Sequence, residues 1–142
     1  MGVRILNDLP EIAVHNIQEF LLETGLTLPP TPVVIYEAES LDEFHRLTGK
    51  PYSIGGVYSD FQIVIQPVQI LKRKGVFIQV LTHELLHWIL YGLEEKYQEP
   101  LISWWLGLRK DESFTHYLDL NYNGDLALFV RLHWKDQRIP PR

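Results

Sequence analysis

"VLTHELLHWILYG", Val80 to Gly92, sets large apolar side chains around most of a helix and places two histidines and a glutamate among them. The spacing predicts a helix from Gly75 to Gly92. Ile78, Leu81, Leu85 and Ile89 form one stripe, and Val80, Leu86, Trp88 and Leu90 make much of the rest apolar. A helix that is apolar nearly all round belongs in an interior. Ionisable groups buried there without partners cost on the order of several kcal/mol. His83 and His87 stand four apart, one turn above the other and about 40° apart around the axis, so both imidazoles reach one point beside the helix. Glu84 projects about 100° from His83. It stands beside that point, where it can hydrogen-bond a water. This is the HExxH arrangement, two zinc ligands and a general base on one helix. The competing interpretation is a metal-free interaction module, in which HELLH is a coincidence on a buried helix.

Composition narrows the chemistry. The chain has 142 residues, 46% of them apolar, 22% charged, and a formal net charge of −5. That length suits one domain, 1–142, with one core. The negative balance argues against a nucleic-acid footprint, which needs a clustered positive field. There is no cysteine, so disulfides, thiol nucleophiles and iron–sulfur clusters are excluded, and a transition-metal site must use His and Asp or Glu. No apolar run is long enough to span a bilayer and no signal peptide is evident. The expectation is a soluble cytoplasmic chain, unless it is a domain cut from an exported or anchored protein.

Reading outward, "LPEIAVHNIQEFLLETG" (Leu9 to Gly25) predicts a helix through Ile12, Val14, Ile17, Phe20 and Leu21, with Pro10 in its first turn and Gly25 as its stop. "VVIYEA" is a buried strand. Ser40 caps a following helix and Glu43 completes its capping box; that helix ends near Gly49. "GGVYSDFQIVIQP" gives a turn and strands, the second on Gln62 to Gln66, stopped by Pro67. "KRKG" is a solvated bend, "EEKYQ" a short loop, and "EPLISWWLGLRK" a helix with Pro100 in its first turn. "DESFTHYLDL" is helical, and "LALFVRLHW" is helix or strand. Trp88, Trp104 and Trp105 are assigned to core or wall. Gly55-Gly56 is not a phosphate loop, since no Lys-Ser/Thr follows. The fold class is therefore α+β, a small mixed sheet packed on a helical layer with the HExxH helix central.

A catalytic zinc takes three protein ligands and keeps a fourth place for water. A third histidine six residues after His87, with glycine between, is absent: those positions hold Leu93 and Leu90. That excludes the metzincin arrangement and a ribosomal-RNA-processing endonuclease family with three spaced histidines. Peptide deformylases need a cysteine and are excluded too. Glu94, Glu95 and Glu99 remain. Glu94 and Glu95 follow the Gly92 break too closely to turn back easily. Glu99 opens the next helix and is favoured, with the other two left open.

"VLTHELLHWIL" followed by "KYQEP" resembles the active-site stretch of gluzincin metallopeptidases, specifically the small peptidase-MA-like group. "VVIYEAESLDEF" and "GGVYSDFQIVIQP" upstream are similar to the strands that precede the motif there, and the likeness covers about Val33 to Leu108. Two departures stand out: Pro100 replaces the usual glycine after the third ligand, and the preceding aromatic is Tyr97. The resemblance implies a zincin-like fold and a zinc-dependent peptidase acting on a peptide or protein substrate. It implies Zn²⁺ on His83, His87 and Glu99, and Glu84 as general base. The strand near Gly56 to Gln66 would pair with an extended peptide. His116 and Tyr117 are the candidate oxyanion donors. The nearest alternative is a latent relative that binds zinc for structure or regulation, with a fourth side chain closing the site; His116 or a C-terminal Asp would serve. "HWKDQRIPPR" could cover the cleft, although a frayed tail is the simpler expectation.

Overall fold

The computed structural model describes residues 2–107 and 111–135. These form seven helices and a four-stranded mixed sheet. Strand β1 is Val3–Ile5, β2 Val34–Ala38, β3 Gly56–Ser59 and β4 Gln62–Ile65. Their order across the sheet is β1-β2-β4-β3. β2 and β4 are parallel, while β1 and β3 are antiparallel edge strands. The parallel pair needs a crossover, which helix α2 (Leu41–Thr48) supplies.

Local chemistry accounts for most element ends. Helix α1 (Glu11–Thr24) begins after Pro10, and Gly25 closes it with φ 74°, a conformation that glycine adopts without a Cβ penalty. Its inward face is Ala13, Ile17, Phe20 and Thr24, whereas Ile12 is 62% exposed. Of the expected apolar residues, Ile17 and Phe20 are buried as anticipated, while Ile12 and Val14 are exposed. Ser40 Oγ accepts the Glu43 N–H at 3.0 Å. The Glu43 carboxylate pairs with Arg46, so its part in the expected capping box is replaced by an ion pair.

The sequence reading omitted two elements. One is β1, which pairs with β2 from Val3↔Ala38 to Ile5↔Tyr36. The other is helix α3 (Val68–Arg73), which starts at Pro67 and absorbs the first half of the expected "KRKG" bend. Buried Glu37 fastens both. One of its oxygens accepts Arg4 Nη2 at 2.9 Å, and the other accepts the Val68 N–H at 2.8 Å. A charge that is 6% exposed is thereby paired and hydrogen-bonded.

Helix α4 (Phe77–Ile89) carries the HELLH stretch and packs against α1, α3, β3, β4 and helix α5 (Glu95–Leu106). Leu81, Leu85, Leu86 and Ile89 lie in a buried cluster with Phe20, Ile35 and Ile63. Trp104 and Trp105 are buried in it, and Trp88 packs on its edge. Helices α6 (Glu112–Tyr122) and α7 (Leu126–Leu132) complete the helical side, capped by Asp111 and Asp125. "LALFVRL" is thus helix, and Phe129 and Val130 bury against the same cluster.

Helix α5 differs from expectation in a way that matters for the site. It begins at Glu95, so "EKYQ" is its first turn and Pro100 lies inside it. The Gln98 side-chain amide donates to Leu90 O and Leu93 O, both at 3.0 Å, and ties that first turn to the end of α4. Glu99 consequently sits in the helix body and faces α4.

Between β3 and β4 the chain turns through Asp60 and Phe61, with φ of 52° and 65°. Positive φ at both central positions is the type I′ hairpin geometry. At Phe61 it costs about 1–2 kcal/mol, because the side chain crowds the following carbonyl.

Candidate metal centre

His83 and His87 project from one side of α4, and Glu99 meets them from α5. Glu99 Oε1 lies 2.9 Å from His83 Nε2 and 2.7 Å from His87 Nε2. One ligand atom from each residue falls within 4.8 Å of the others, a set suited to a metal ion. A tetrahedral zinc with bonds of about 2.0–2.2 Å spaces its ligands by about 3.4 Å. An outward shift of about half an ångström in each contact would therefore accommodate it.

Hydrogen-bond chemistry leaves this group able to take up a cation. Gln98 commits its NH₂ to the Leu90 and Leu93 carbonyls, so its Oε1 is the atom 2.9 Å from His87 Nδ1. An oxygen there requires His87 Nδ1 to carry the proton, an assignment made from the network. In neutral His87, Nε2 is then a bare lone pair. It faces a carboxylate oxygen at 2.7 Å, and two acceptors at that distance repel. A proton shared between the two partners, or a cation among the three atoms, relieves that repulsion. Orientation of a ligating histidine through its other ring nitrogen is the common support for a bound metal. Tyr58 adds a second constraint, its ring stacked parallel to His87 at 6.3 Å between centroids.

Glu84 stands beside this group, 8% exposed. Burial pushes its carboxyl above the usual range, while the charges of His83 and His87 and the Tyr58 backbone N–H oppose that rise. Glu99 goes the other way. Burial raises it, but hydrogen bonds from His83 and His87 outweigh burial and hold it below the usual range.

Strand β3 reaches Glu84 because Gly55 and Gly56 have no side chains. A Cβ on Gly56 would lie 3.1 Å from Glu84 Cγ and 3.1 Å from Val80 Cγ1. The Gln66 N–H donates to Gly55 O at 2.9 Å. Counting along the antiparallel register, Val57 and Ser59 also bond to β4. The peptide groups of Gly56 and Tyr58 then point away from β4, toward the cleft. The cleft, about 1650 Å³, is lined by β3, one side of α4, and Glu95, Gln98 and Glu99 of α5.

The alternative third ligands lie elsewhere. Glu94 pairs with His133 Nδ1 at 3.0 Å. Glu95 lines the cleft outside the His83–His87–Glu99 group. His116 is exposed on α6, and the Tyr117 hydroxyl lies 3.3 Å from that of Tyr122. Neither lines the cleft, so both expected oxyanion donors are misplaced for that role. Of the C-terminal stretch, His133, Trp134 and Lys135 are described; residues 136–142 lie outside the described residues. No helix among the described residues is long and apolar enough to cross a membrane.

Gln98, Tyr58 and Phe61 were missed by sequence reasoning. Gln98 had one available signal, its place beside Glu99 on a segment that must face α4. Comparison with protein-family models, curated proteins and solved structures finds no match.

Proposed function

We propose that this chain is a zinc-dependent peptidase of gluzincin type with a zincin-like fold, in which His83, His87 and Glu99 hold Zn²⁺ and Glu84 is the general base. The observation that carries the proposal is the convergence of His83 Nε2, His87 Nε2 and Glu99 Oε1 within 2.7–2.9 Å contacts, with His87 Nδ1 engaged by Gln98. Bound zinc supplies a Lewis acid that lowers the pKa of water to near neutrality and polarises a carbonyl.

The chain's own residues do the rest. Glu84 sits one residue from His83 at the foot of β3, where its carboxylate can take the proton of an attacking water and pass it to the leaving amine. Its burial excludes competing water and favours return to the neutral acid. The outward peptide group of Gly56 and the carbonyl of Tyr58 offer hydrogen bonds to an extended backbone, the strand-addition mode of peptide recognition; the Tyr58 N–H is already directed at Glu84. Three ligands converge among the described residues, and three protein ligands leave a position for water, as catalytic zinc requires.

Two measurements on protein purified without chelators test the reading. Metal analysis should find about one zinc per chain. Glu84→Gln should keep that zinc and lower peptide hydrolysis by at least about 10²-fold, the lower range for a general base. Full hydrolysis by the Glu84→Gln protein, or a chain that takes no zinc, removes the proposal.

A further inference from the structure

Strand β3 and helix α4 run side by side in the same direction. Gly55 packs against Val80, Gly56 against Val80 and Glu84, Tyr58 stacks on His87, and the Phe61 ring meets Tyr91 at 6.1 Å. The candidate metal group therefore lies midway along a groove with two distinguishable ends. From Phe77 to Ile89 α4 rises about 18 Å at 1.5 Å per residue, and with the flanking residues the groove seats about six extended residues.

The ends differ in chemistry. At one end the lining includes Lys50 and Lys74, both exposed, with Ser53 and Gln79 and no acidic residue. At the other end the charged lining residues are Asp60, Glu95 and Lys135, and the wall is aromatic: Tyr58, Phe61 and Tyr91. Phe61 holds its place there at φ 65°, a conformation a bulky residue rarely adopts. Its N–H donates to Tyr58 Oη at 3.2 Å, and its ring also meets Tyr58 edge-on at 6.4 Å. Backbone strain of this kind tends to collect at ligand-clamping positions.

The geometry points to a substrate polarity: an extended peptide antiparallel to β3, with an aromatic side chain against Phe61 and Tyr91 and a carboxylate at Lys50 and Lys74. Antiparallel pairing is the more stable per residue, and β3 runs from the lysine end to the aromatic end, so such a partner enters at Phe61 and leaves at the lysines. The aromatic residue then lies about three positions before the cleaved bond and the carboxylate about three after it. The carboxylate is an Asp or Glu side chain or the peptide's own C-terminus. This inference rests on the peptidase reading and narrows its substrate.

The test uses the zinc-loaded full chain, as wild type for cleavage and as Glu84→Gln for binding by fluorescence anisotropy. The probes are blocked peptides of about ten residues with Phe and Glu about five positions apart, in that order or exchanged. A third peptide replaces the Glu with a free C-terminus at the same distance. The Phe-first order should bind about tenfold tighter than the exchanged order, the size of one aromatic contact and one exposed ion pair together. Phe61→Gly should abolish the aromatic share. Lys50→Glu with Lys74→Glu should abolish the carboxylate share, which should also fade in high salt. Preference for either carboxylate source supports the polarity and identifies that source. Equal binding and equal cleavage of both orders overturns the polarity and leaves the peptidase reading standing. No binding and no cleavage of any probe overturns both.

Discussion

Gln98 Oε1 stands 2.9 Å from His87 Nδ1, and this contact determines which nitrogen of His87 is turned toward Glu99. Gln98 is held in that orientation by the carbonyls that end α4. The end of α4 thus organises the residue that orients His87 on the same helix. Gln98→Leu should lower zinc affinity about 10- to 100-fold, the usual effect of losing such a support. Competition against a chromophoric chelator reads this directly, and unchanged affinity in a normally folded variant would contradict it.

The same site should couple metal binding to stability. A ligand that binds only the folded state adds about 2.7 kcal/mol at a hundredfold excess over its Kd. Zinc should therefore raise the melting temperature of the wild type. Glu99→Gln should lose most of that rise, whereas Glu95→Gln and Glu94→Gln should retain it. A rise that survives Glu99→Gln but disappears with Glu95→Gln would reassign the third ligand.

Gly56→Ala tests the close approach of β3 to α4. The new methyl would meet Glu84 Cγ and Val80 Cγ1 at 3.1 Å and Ile65 Cγ2 at 3.2 Å, so it is enclosed on three sides. Overpacking of this kind costs about 1–3 kcal/mol. The expected outcome is a lower urea midpoint with an unchanged slope; an unshifted midpoint means the contact is looser than described.

Phe61 predicts an inverted ranking of substitutions. Ala at a residue with φ 65° keeps the left-handed strain and loses the ring, whereas Gly loses the ring and relieves the strain. Phe61→Gly should accordingly be more stable than Phe61→Ala by about 1 kcal/mol. The opposite order in denaturant melts would show that the turn is not strained in solution.

Much of this was legible in the sequence because it rests on local rules. The His83–His87 spacing places two imidazoles on one side of any helix, and Ser40, Gly25 and Gly49 mark helix ends through backbone chemistry that needs no tertiary context. Glu99 could be favoured because Glu94 and Glu95 follow the Gly92 break too closely to turn back easily, whereas Glu99 comes after more chain. What escaped depends on distant partners. β1 is three residues long and exists through its pairing with β2. α3 is six residues long, its first N–H held by Glu37 from across the sheet. Pro100 suggested a helix start, but the Gln98 bonds to α4 stabilise an earlier turn and leave the proline inside. His116 and Tyr117 were placed by residue type alone, and the packing of α6 carries them away from the cleft. Ile12 and Val14 are apolar but lie outside the face that α1 turns toward α4 and α7, and residue type alone does not reveal that.

The central claim is tested most directly by anomalous diffraction at the zinc edge from crystals of the full chain grown with equimolar zinc. The account predicts one strong peak about 2.0–2.2 Å from His83 Nε2, His87 Nε2 and a Glu99 carboxylate oxygen. Full occupancy of zinc at another place, or no peak among these three side chains, would contradict it.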